Sequence, residues 1–123
     1  MAPENVITEF CALWADADVS AIIECFTEDA VYHNIPMELV FGKEAIKAFI
    51  EGFIGAFGGI DFQIKRQVAS GDVVMNERVD VFTINSAEVA LPVMGVFEVR
   101  DGKISAWRDY FDMAPITAAA GQG

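Results

Sequence analysis

The first half of the chain repeats its hydrophobic positions with the period of an α-helix. Apolar residues recur at three- and four-residue spacing from Pro3 to about Asp16, in a short segment that begins near Ser20 and includes Phe26, and from Lys43 to Phe57, where a glycine pair follows. This spacing puts the apolar side chains on one face of a helix, and glycine is common where helices end. The pattern predicts three helices, with an extended segment from Ala30 to Ile35 between the second and the third.

From Ile60 onward the hydrophobic period changes to two, which is the period of a half-buried β-strand. Three short turn sequences divide this half of the chain: Gly71-Asp72, Asn85-Ser86 and Asp101-Gly102. The strands predicted between them run from about Ile60 to Val68, from Val73 to Ile84, from Val89 to Val99, and from Lys103 to Phe111. Sequential strands joined by tight turns form an antiparallel meander.

Helices gathered ahead of a long, curling antiparallel sheet predict the α+β fold class, with the third helix across the concave face of the sheet. A length of 123 residues fits a single domain over residues 1–123. Hydrophobic residues make up 54% of the chain, which is above the roughly 45–50% usual in soluble domains. We expect the additional apolar side chains to line an apolar pocket or a subunit interface. The tail from Thr117 to Gly123, rich in alanine and glycine, is expected to be loosely held.

The charge balance narrows the set of partners. The chain has 19 acidic and 8 basic residues and a net charge of -11, which argues against nucleic acid, anionic membranes and phosphorylated ligands, because these bind basic surfaces. A small neutral apolar substrate is expected instead. The first ten residues lack the pattern of a secretory signal, and no apolar stretch reaches membrane-spanning length, so we expect a cytoplasmic protein. Apolar side chains on both faces of the late strands predict a homodimer.

Three charged residues, Arg78, Asp80 and Asp109, lie in late strand segments that are rich in apolar residues. Because side chains alternate between the two faces of a strand, Arg78 and Asp80 must share one face. If the last strand lies nearby with Asp109 turned to the same side, one arginine sits between two carboxylates in a hydrophobic setting. Such a cluster could be a structural ion-pair network. It could also hold an acid and a base, because an environment that separates two carboxyl pKa values provides a proton donor and a proton acceptor.

Tyr32 and Asn34 alternate in the same way on the first extended segment. Their hydroxyl and amide groups can hold a water molecule, although such residues also commonly satisfy local backbone groups. His33 is the only histidine and falls on the opposite face, where an outer or interface position is expected. Because the chain has one histidine and two well-separated cysteines, we expect no metal site. The sequence also contains no recognisable cofactor-binding motif.

Three motifs, taken in order, resemble a known family. They are Tyr32-x-Asn34, Glu77-Arg78-Val79-Asp80 and Trp107-Arg108-Asp109-Tyr110-Phe111-Asp112. They are similar to the motifs of limonene-1,2-epoxide hydrolases, and the order of helices and meander resembles the cone-shaped nuclear transport factor 2-like fold across nearly the whole chain. The resemblance implies an epoxide hydrolase that uses no cofactor. It implies Asp109 as general base, Asp80 as general acid, Arg78 as the bridge between them, and Tyr32 and Asn34 as holders of the attacking water.

Other functions of the same fold stay open at this point. Ketosteroid isomerases, by the same kind of resemblance, would require a carboxylate base near Asn34, where the chain has an amide. Polyketide cyclases of this fold use a late-strand aspartate as the base of an aldol closure, and Asp109 could serve in that way. A non-enzymatic carrier of small apolar ligands would show no turnover and would tolerate exchange of either aspartate for asparagine.

Overall fold

The computed structural model describes residues 1–121. Its helices are α1 (Pro3–Leu13), followed by a short 3-10 turn (Trp14–Asp16), α2 (Val19–Ile23), α3 (Lys43–Phe57) and α4 (Ala114–Ala120). Its strands are β1 (Phe26–Asn34), β2 (Val40–Phe41), β3 (Asp61–Ser70), β4 (Val73–Ile84), β5 (Ala87–Arg100) and β6 (Lys103–Tyr110). None of these helices within residues 1–121 is both long enough and apolar enough to cross a membrane.

The six strands form one curved sheet in the order β2-β1-β6-β5-β4-β3. Neighbouring strands are antiparallel except β1 and β6, which run parallel. Helix α3 covers the concave side, where Phe49 lies edge-on to Tyr32 of β1 and Phe53 to Phe82 of β4. The predicted α+β class, with helices on a curved and mostly antiparallel sheet, is confirmed.

An aromatic cluster joins α1 to the middle of the sheet. Phe10 is fully buried, and its ring lies edge-on to four other aromatic rings. The centroid distances are 6.0 Å to Trp14, 5.5 Å to Phe26, 6.2 Å to Phe97 and 5.1 Å to Trp107. Edge-to-face pairs contribute about 0.5–1.5 kcal/mol each beyond the burial of their area. The cluster fixes Trp107 on β6, two residues before Asp109.

The sequence pattern located most elements but missed parts of β1 and all of β2. The second helix ends at Ile23, and Phe26, which the pattern assigned to it, begins β1 instead. β1 pairs with β6 at Phe26 and again from Val31, with an irregular register between. The residues of that irregular stretch are largely polar, so no alternation reveals a strand there. The two residues of β2 are too few to give a period.

Residues 117–120, part of the tail that was expected to be loosely held, belong to α4. Asp112 Oδ1 accepts a hydrogen bond from the amide of Ala114 at 2.9 Å, and Pro115 occupies the first turn, where proline is well tolerated. Ala119 is buried against the rest of the fold. The alanines that indicated a loose tail are strong helix formers once one face of the helix can pack. Residues 122–123 lie outside the described residues.

Candidate active site

A cavity opens between the concave face of the sheet and helix α3. The space between its walls is about 580 Å³ when the open mouth is counted. Most of the lining is apolar and aromatic, and it comes from α3, from the sheet, from Ile116 of α4, from the 3-10 turn and from the segments that connect these elements. Four lining residues carry hydroxyl, amide or carboxylate groups: Tyr32, Asn34, Asp80 and Asp109.

Strand register explains why these four residues meet. Because β1 runs parallel to β6, Tyr32 lies opposite Trp107 and Asn34 lies opposite Asp109. Residues opposite each other on neighbouring strands point to the same face of the sheet. Asp80 comes from β4, which is separated from β6 by β5. The site therefore depends on three strands that are distant in sequence.

Arg78 lies behind the two carboxylates and is only 1% exposed. Its Nε and Nη2 donate to the two oxygens of Asp80 at 2.9 and 3.0 Å. Its Nη1 and Nη2 donate to the two oxygens of Asp109 at 3.2 and 2.8 Å. The planar guanidinium matches a carboxylate along each of two edges. One arginine thus fixes the positions of both aspartates.

The cluster contains two carboxylates for one guanidinium, and all three groups are buried, with Asp80 6% and Asp109 3% exposed. Burial raises the pKa of Asp80, Arg78 opposes this effect, and the charge of Asp109 raises the pKa further. Although burial disfavours its charge, the two aspartates raise the pKa of Arg78 above its ordinary value. An excess negative charge in a site of low dielectric favours uptake of a proton by one carboxyl group.

Hydrogen bonds distinguish the two aspartates. Trp107 Nε1 donates to Asp109 Oδ1 at 2.6 Å, in addition to the two bonds from Arg78. Among the described residues, Asp80 accepts side-chain hydrogen bonds from Arg78 alone. Hydrogen bonds to an ionised group stabilise the ionised form. The two carboxyl groups therefore have different hydrogen-bonding environments, and burial raises the pKa of Asp80.

Tyr32 and Asn34 stand side by side on the wall next to Asp109. The Tyr32 ring stacks on Trp107 with centroids 4.2 Å apart and planes at 9°. Its hydroxyl lies 3.4 Å from Asn34 Oδ1, which is long for a hydrogen bond. Burial raises the pKa of Tyr32 well above its ordinary value, so the phenol keeps its proton. A hydroxyl donor and an amide with both donor and acceptor groups thus lie beside the carboxyl group of Asp109.

The structure brings together all five residues that the sequence singled out for the site, namely Arg78, Asp80, Asp109, Tyr32 and Asn34. His33 points away from the cavity, and its Nε2 lies 3.0 Å from the carbonyl oxygen of Met37. Within residues 1–121, no three His, Cys, Asp or Glu side chains are grouped as a metal site.

Sequence reasoning missed two polar neighbours of the site. Asn76 Oδ1 accepts from Arg78 Nη1 at 3.0 Å, and Trp107 donates to Asp109. Both stand two residues before the charged residue that they contact, and therefore on the same strand face. That parity was the available signal, because a polar or indole side chain two positions from a buried charge is placed to bind it.

Comparison with known proteins gives one family and a common fold. The family model of the limonene-1,2-epoxide hydrolase catalytic domain matches residues 1–121. The chain is 34% identical over 96 residues to the epoxide hydrolase EphG of Mycobacterium tuberculosis. That alignment covers 78% of this chain and 64% of the relative, so the chain spans less than two thirds of the relative's length.

Two solved structures illustrate the fold. A limonene-epoxide-hydrolase-like epoxide hydrolase from M. tuberculosis superposes with a TM-score of 0.83 at 29% identity, over 97% of this chain and 89% of the other. A SnoaL-like polyketide cyclase, so named without proof of activity, from Shewanella denitrificans superposes with a TM-score of 0.86 over 98% of each chain. Its identity to this chain is only 12%, so this second likeness shows the shared fold alone.

The raised pKa of Asp80 predicts how stability changes with pH. The folded protein keeps a proton on Asp80 in a range where the unfolded chain, with a pKa of about 3.9, has released it. The unfolding free energy of the native chain, relative to that of Asp80→Asn, should therefore fall as the pH rises from about 4 through the folded-state pKa. Urea unfolding of both proteins across this range measures the difference. A difference that instead grows in favour of the native chain would mean that Arg78 outweighs burial.

Proposed function

The chain belongs to the limonene-1,2-epoxide hydrolase family, and on that premise we propose that it adds water to a small apolar epoxide, cyclic or terpene-like, to give a vicinal diol. One observation carries the proposal: two aspartates bridged by a buried arginine open onto an apolar cavity beside a tyrosine and an asparagine. The residues are an acid, a base and a water site at one wall of a pocket that otherwise offers apolar contacts.

The proposed reaction is a single displacement. Asp109 takes a proton from a water that Tyr32 and Asn34 hold, and the water oxygen forms a bond to one ring carbon. The bond between that carbon and the epoxide oxygen breaks, and Asp80 gives its proton to the oxygen. One water is consumed, and transfer of a proton from Asp109 back to Asp80 restores the site. Neither an oxidant nor a cofactor enters this balance.

The division of roles between the aspartates has physical support. A general acid must hold a proton near neutral pH, and burial raises the pKa of Asp80. A general base must be ionised, and Asp109 accepts from Trp107 as well as from Arg78. Asp109 also lies in register with Asn34, one of the two proposed water ligands. The two carboxyl groups share one arginine yet have different surroundings, which is how paired carboxylates come to act as acid and base.

The charge and the cysteines support the proposed substrate and setting. A net charge of -11 disfavours anionic ligands and nucleic acid, and the apolar lining favours a neutral substrate. Both cysteines are free thiols, Cys11 buried and Cys25 partly buried. Free thiols are typical of a reducing compartment, so we propose a cytoplasmic location.

A dimer is part of the proposal because the outer face of the sheet carries large apolar side chains. Val68, Met75, Met94 and Tyr110 are 66%, 41%, 42% and 46% exposed. Each is next to a residue that points toward the cavity side, so all four lie on the opposite face. Val68 pairs with Met75, and Met94 pairs with Tyr110. A second copy of the chain, related by two-fold symmetry, would cover this face.

We predict that Asp80→Asn and Asp109→Asn each lower kcat for epoxide hydrolysis by at least about 100-fold, because each removes a proton-transfer group. Tyr32→Phe and Asn34→Ala should give smaller losses, since they hold the water without exchanging its proton. Diol formation from a panel of cyclic, terpene and aryl epoxides measures the rates. Asp72→Asn, in the exposed β3–β4 turn, is the matched control and should keep native activity. Near-native turnover by either site variant would contradict the mechanism, whereas absence of diol from every epoxide with the native chain would favour a carrier.

Isotope labelling distinguishes direct attack by water from a route through an aspartyl ester. In a single turnover with enzyme in excess in ¹⁸O-labelled water, the diol should carry the label at once, because water attacks carbon directly. Neither Asp80 nor Asp109 should gain labelled oxygen. Mass analysis of the diol and of the two aspartate peptides measures both outcomes. Unlabelled diol from the first turnover, or labelled oxygen in an aspartate, would identify a carboxylate as the nucleophile.

Light scattering should give the mass of a dimer for the native chain, because a second copy would remove the exposed apolar side chains from water. Met94→Lys puts a charge in the middle of that face and should shift the mass toward the monomer, while far-UV circular dichroism stays native. The exposed Phe41→Ala on β2, at the other edge of the sheet, is the control and should remain a dimer. A monomer mass for the native chain at micromolar concentration would rule out the proposed dimer.

A further inference from the structure

We infer that Gly95 and Asn76 are positioning residues that hold the guanidinium of Arg78 between the two aspartates. Neither residue lines the cavity, and the family resemblance pointed to neither. The catalytic part of this inference rests on the proposed function, whereas the geometric part stands on the contacts of Arg78 alone.

Gly95 provides the gap through which Arg78 reaches Asp109. Arg78 lies on β4 and Asp109 on β6, so their hydrogen bonds must pass over β5, across about 10 Å of sheet at the usual strand spacing. On β5, the residue paired with both Asn76 and Asp109 is Gly95. A Cβ atom added there would stand 2.4 Å from Arg78 Nη1 and 2.9 Å from Asp109 Oδ1. Both distances are far inside van der Waals contact, so any other residue would fill the space that the guanidinium occupies.

Displacement of the guanidinium would not be a small adjustment. The end of an arginine side chain is flexible in water, but here Asp80 binds one edge and Asp109 another. The ring of Phe62 also packs on the guanidinium, with its centroid 4.6 Å from Cζ. A methyl group at position 95 would therefore break bonds between Arg78 and at least one carboxylate.

Asn76 completes the hydrogen bonding of Arg78. Four guanidinium N–H groups donate to the two aspartates, and the remaining one on Nη1 donates to Asn76 Oδ1 at 3.0 Å. All five donors of the side chain are thus used within the protein. An arginine with every donor engaged is held in one place, and it bridges the carboxylates without reaching for the substrate.

A chain of hydrogen bonds orients Asn76 from outside the site. Its Nδ2 donates to Gln67 Oε1 at 3.1 Å. Gln67 Nε2 donates in turn to the carbonyl of Glu4 and to Thr8 Oγ1 on α1, both at 3.0 Å. These contacts leave only Oδ1 of Asn76 directed at Arg78. Asn76 is only 1% exposed, so its amide has no competing contact with bulk water.

Gly95→Ala tests the gap. We expect kcat for epoxide hydrolysis to fall roughly 100-fold, the usual effect of misplacing a catalytic group by about an ångström. KM should change less than kcat, because position 95 does not line the cavity. Gly52→Ala is the matched control: it adds the same methyl at an exposed position of helix α3, where a Cβ would meet nothing within 4 Å, and should keep native kcat.

Variants of Asn76 distinguish the role of its Oδ1 as a hydrogen-bond acceptor from the role of its side-chain volume. Asn76→Leu removes the acceptor for Arg78 Nη1 and should lower kcat roughly tenfold or more, as expected for loss of a hydrogen bond to a charged group. Asn76→Asp keeps an acceptor and adds a negative charge beside the cluster. It should retain more activity than the leucine variant and move the alkaline limb of the kcat profile to higher pH, because added negative charge helps Asp80 to keep its proton. A residue that only filled space would not favour aspartate over leucine at this position.

Nitrogen-detected NMR of the Arg78 guanidinium gives a readout that does not depend on activity. In the native chain and in Gly52→Ala, its N–H signals should be protected from exchange, because all are buried and bonded. Gly95→Ala and Asn76→Leu should lose that protection, and Asn76→Asp should keep it. If the native chain hydrolyses no epoxide, the proposed function fails while this measurement still decides the inference. Native kcat together with native protection in Gly95→Ala would overturn the inference. If Gly95→Ala does not fold, the kcat and the protection of Asn76→Leu decide it in the same way.

Discussion

The buried contact of Arg78 with two aspartates is the interaction on which the rest of the site depends. Removing three charges from water is unfavourable unless their hydrogen bonds are replaced, and here Arg78 gives every donor to Asp80, Asp109 or Asn76. The guanidinium neutralises only one of the two negative charges. The remaining charge makes proton uptake favourable, and this links the burial of the cluster to the acid and base chemistry proposed for it.

Sheet order is the second constraint, because the three charges come from strands that are not neighbours. Arg78 and Asp80 lie on β4, Asp109 lies on β6, and β5 runs between them. A strand that separates two interacting side chains must present a very small residue at the crossing, and Gly95 occupies that place. On the other side, the parallel pairing of β1 with β6 brings Asn34 beside Asp109. The site is thus a row of neighbours across four strands.

The limits of prediction from sequence follow from the same geometry. Alternation along one strand sufficed to put Arg78 and Asp80 on one face, since parity is a local property. Placing Asp109 beside them required the register of β6, and placing Asn34 required a parallel pairing between the first and last strands, which no local pattern encodes. Those placements came from the family resemblance. Gly95 was invisible for the same reason: a glycine in a strand is unremarkable until its cross-strand neighbours are known.

Trp107 shows that the stability of the fold and the chemistry of the site share one set of contacts. Its ring stacks on Tyr32 and on Phe97 and lies edge-on to Phe10, which is fully buried in the core. Its Nε1 donates to Asp109 at 2.6 Å. The aromatic core therefore orients the carboxyl group of Asp109 through Trp107. Asp80 has no equivalent donor among the described residues, and burial raises its pKa. A raised carboxyl pKa lowers stability as the pH rises from the unfolded-state pKa through the folded-state pKa. The aromatic packing that offsets this loss is also what makes the two aspartates chemically different.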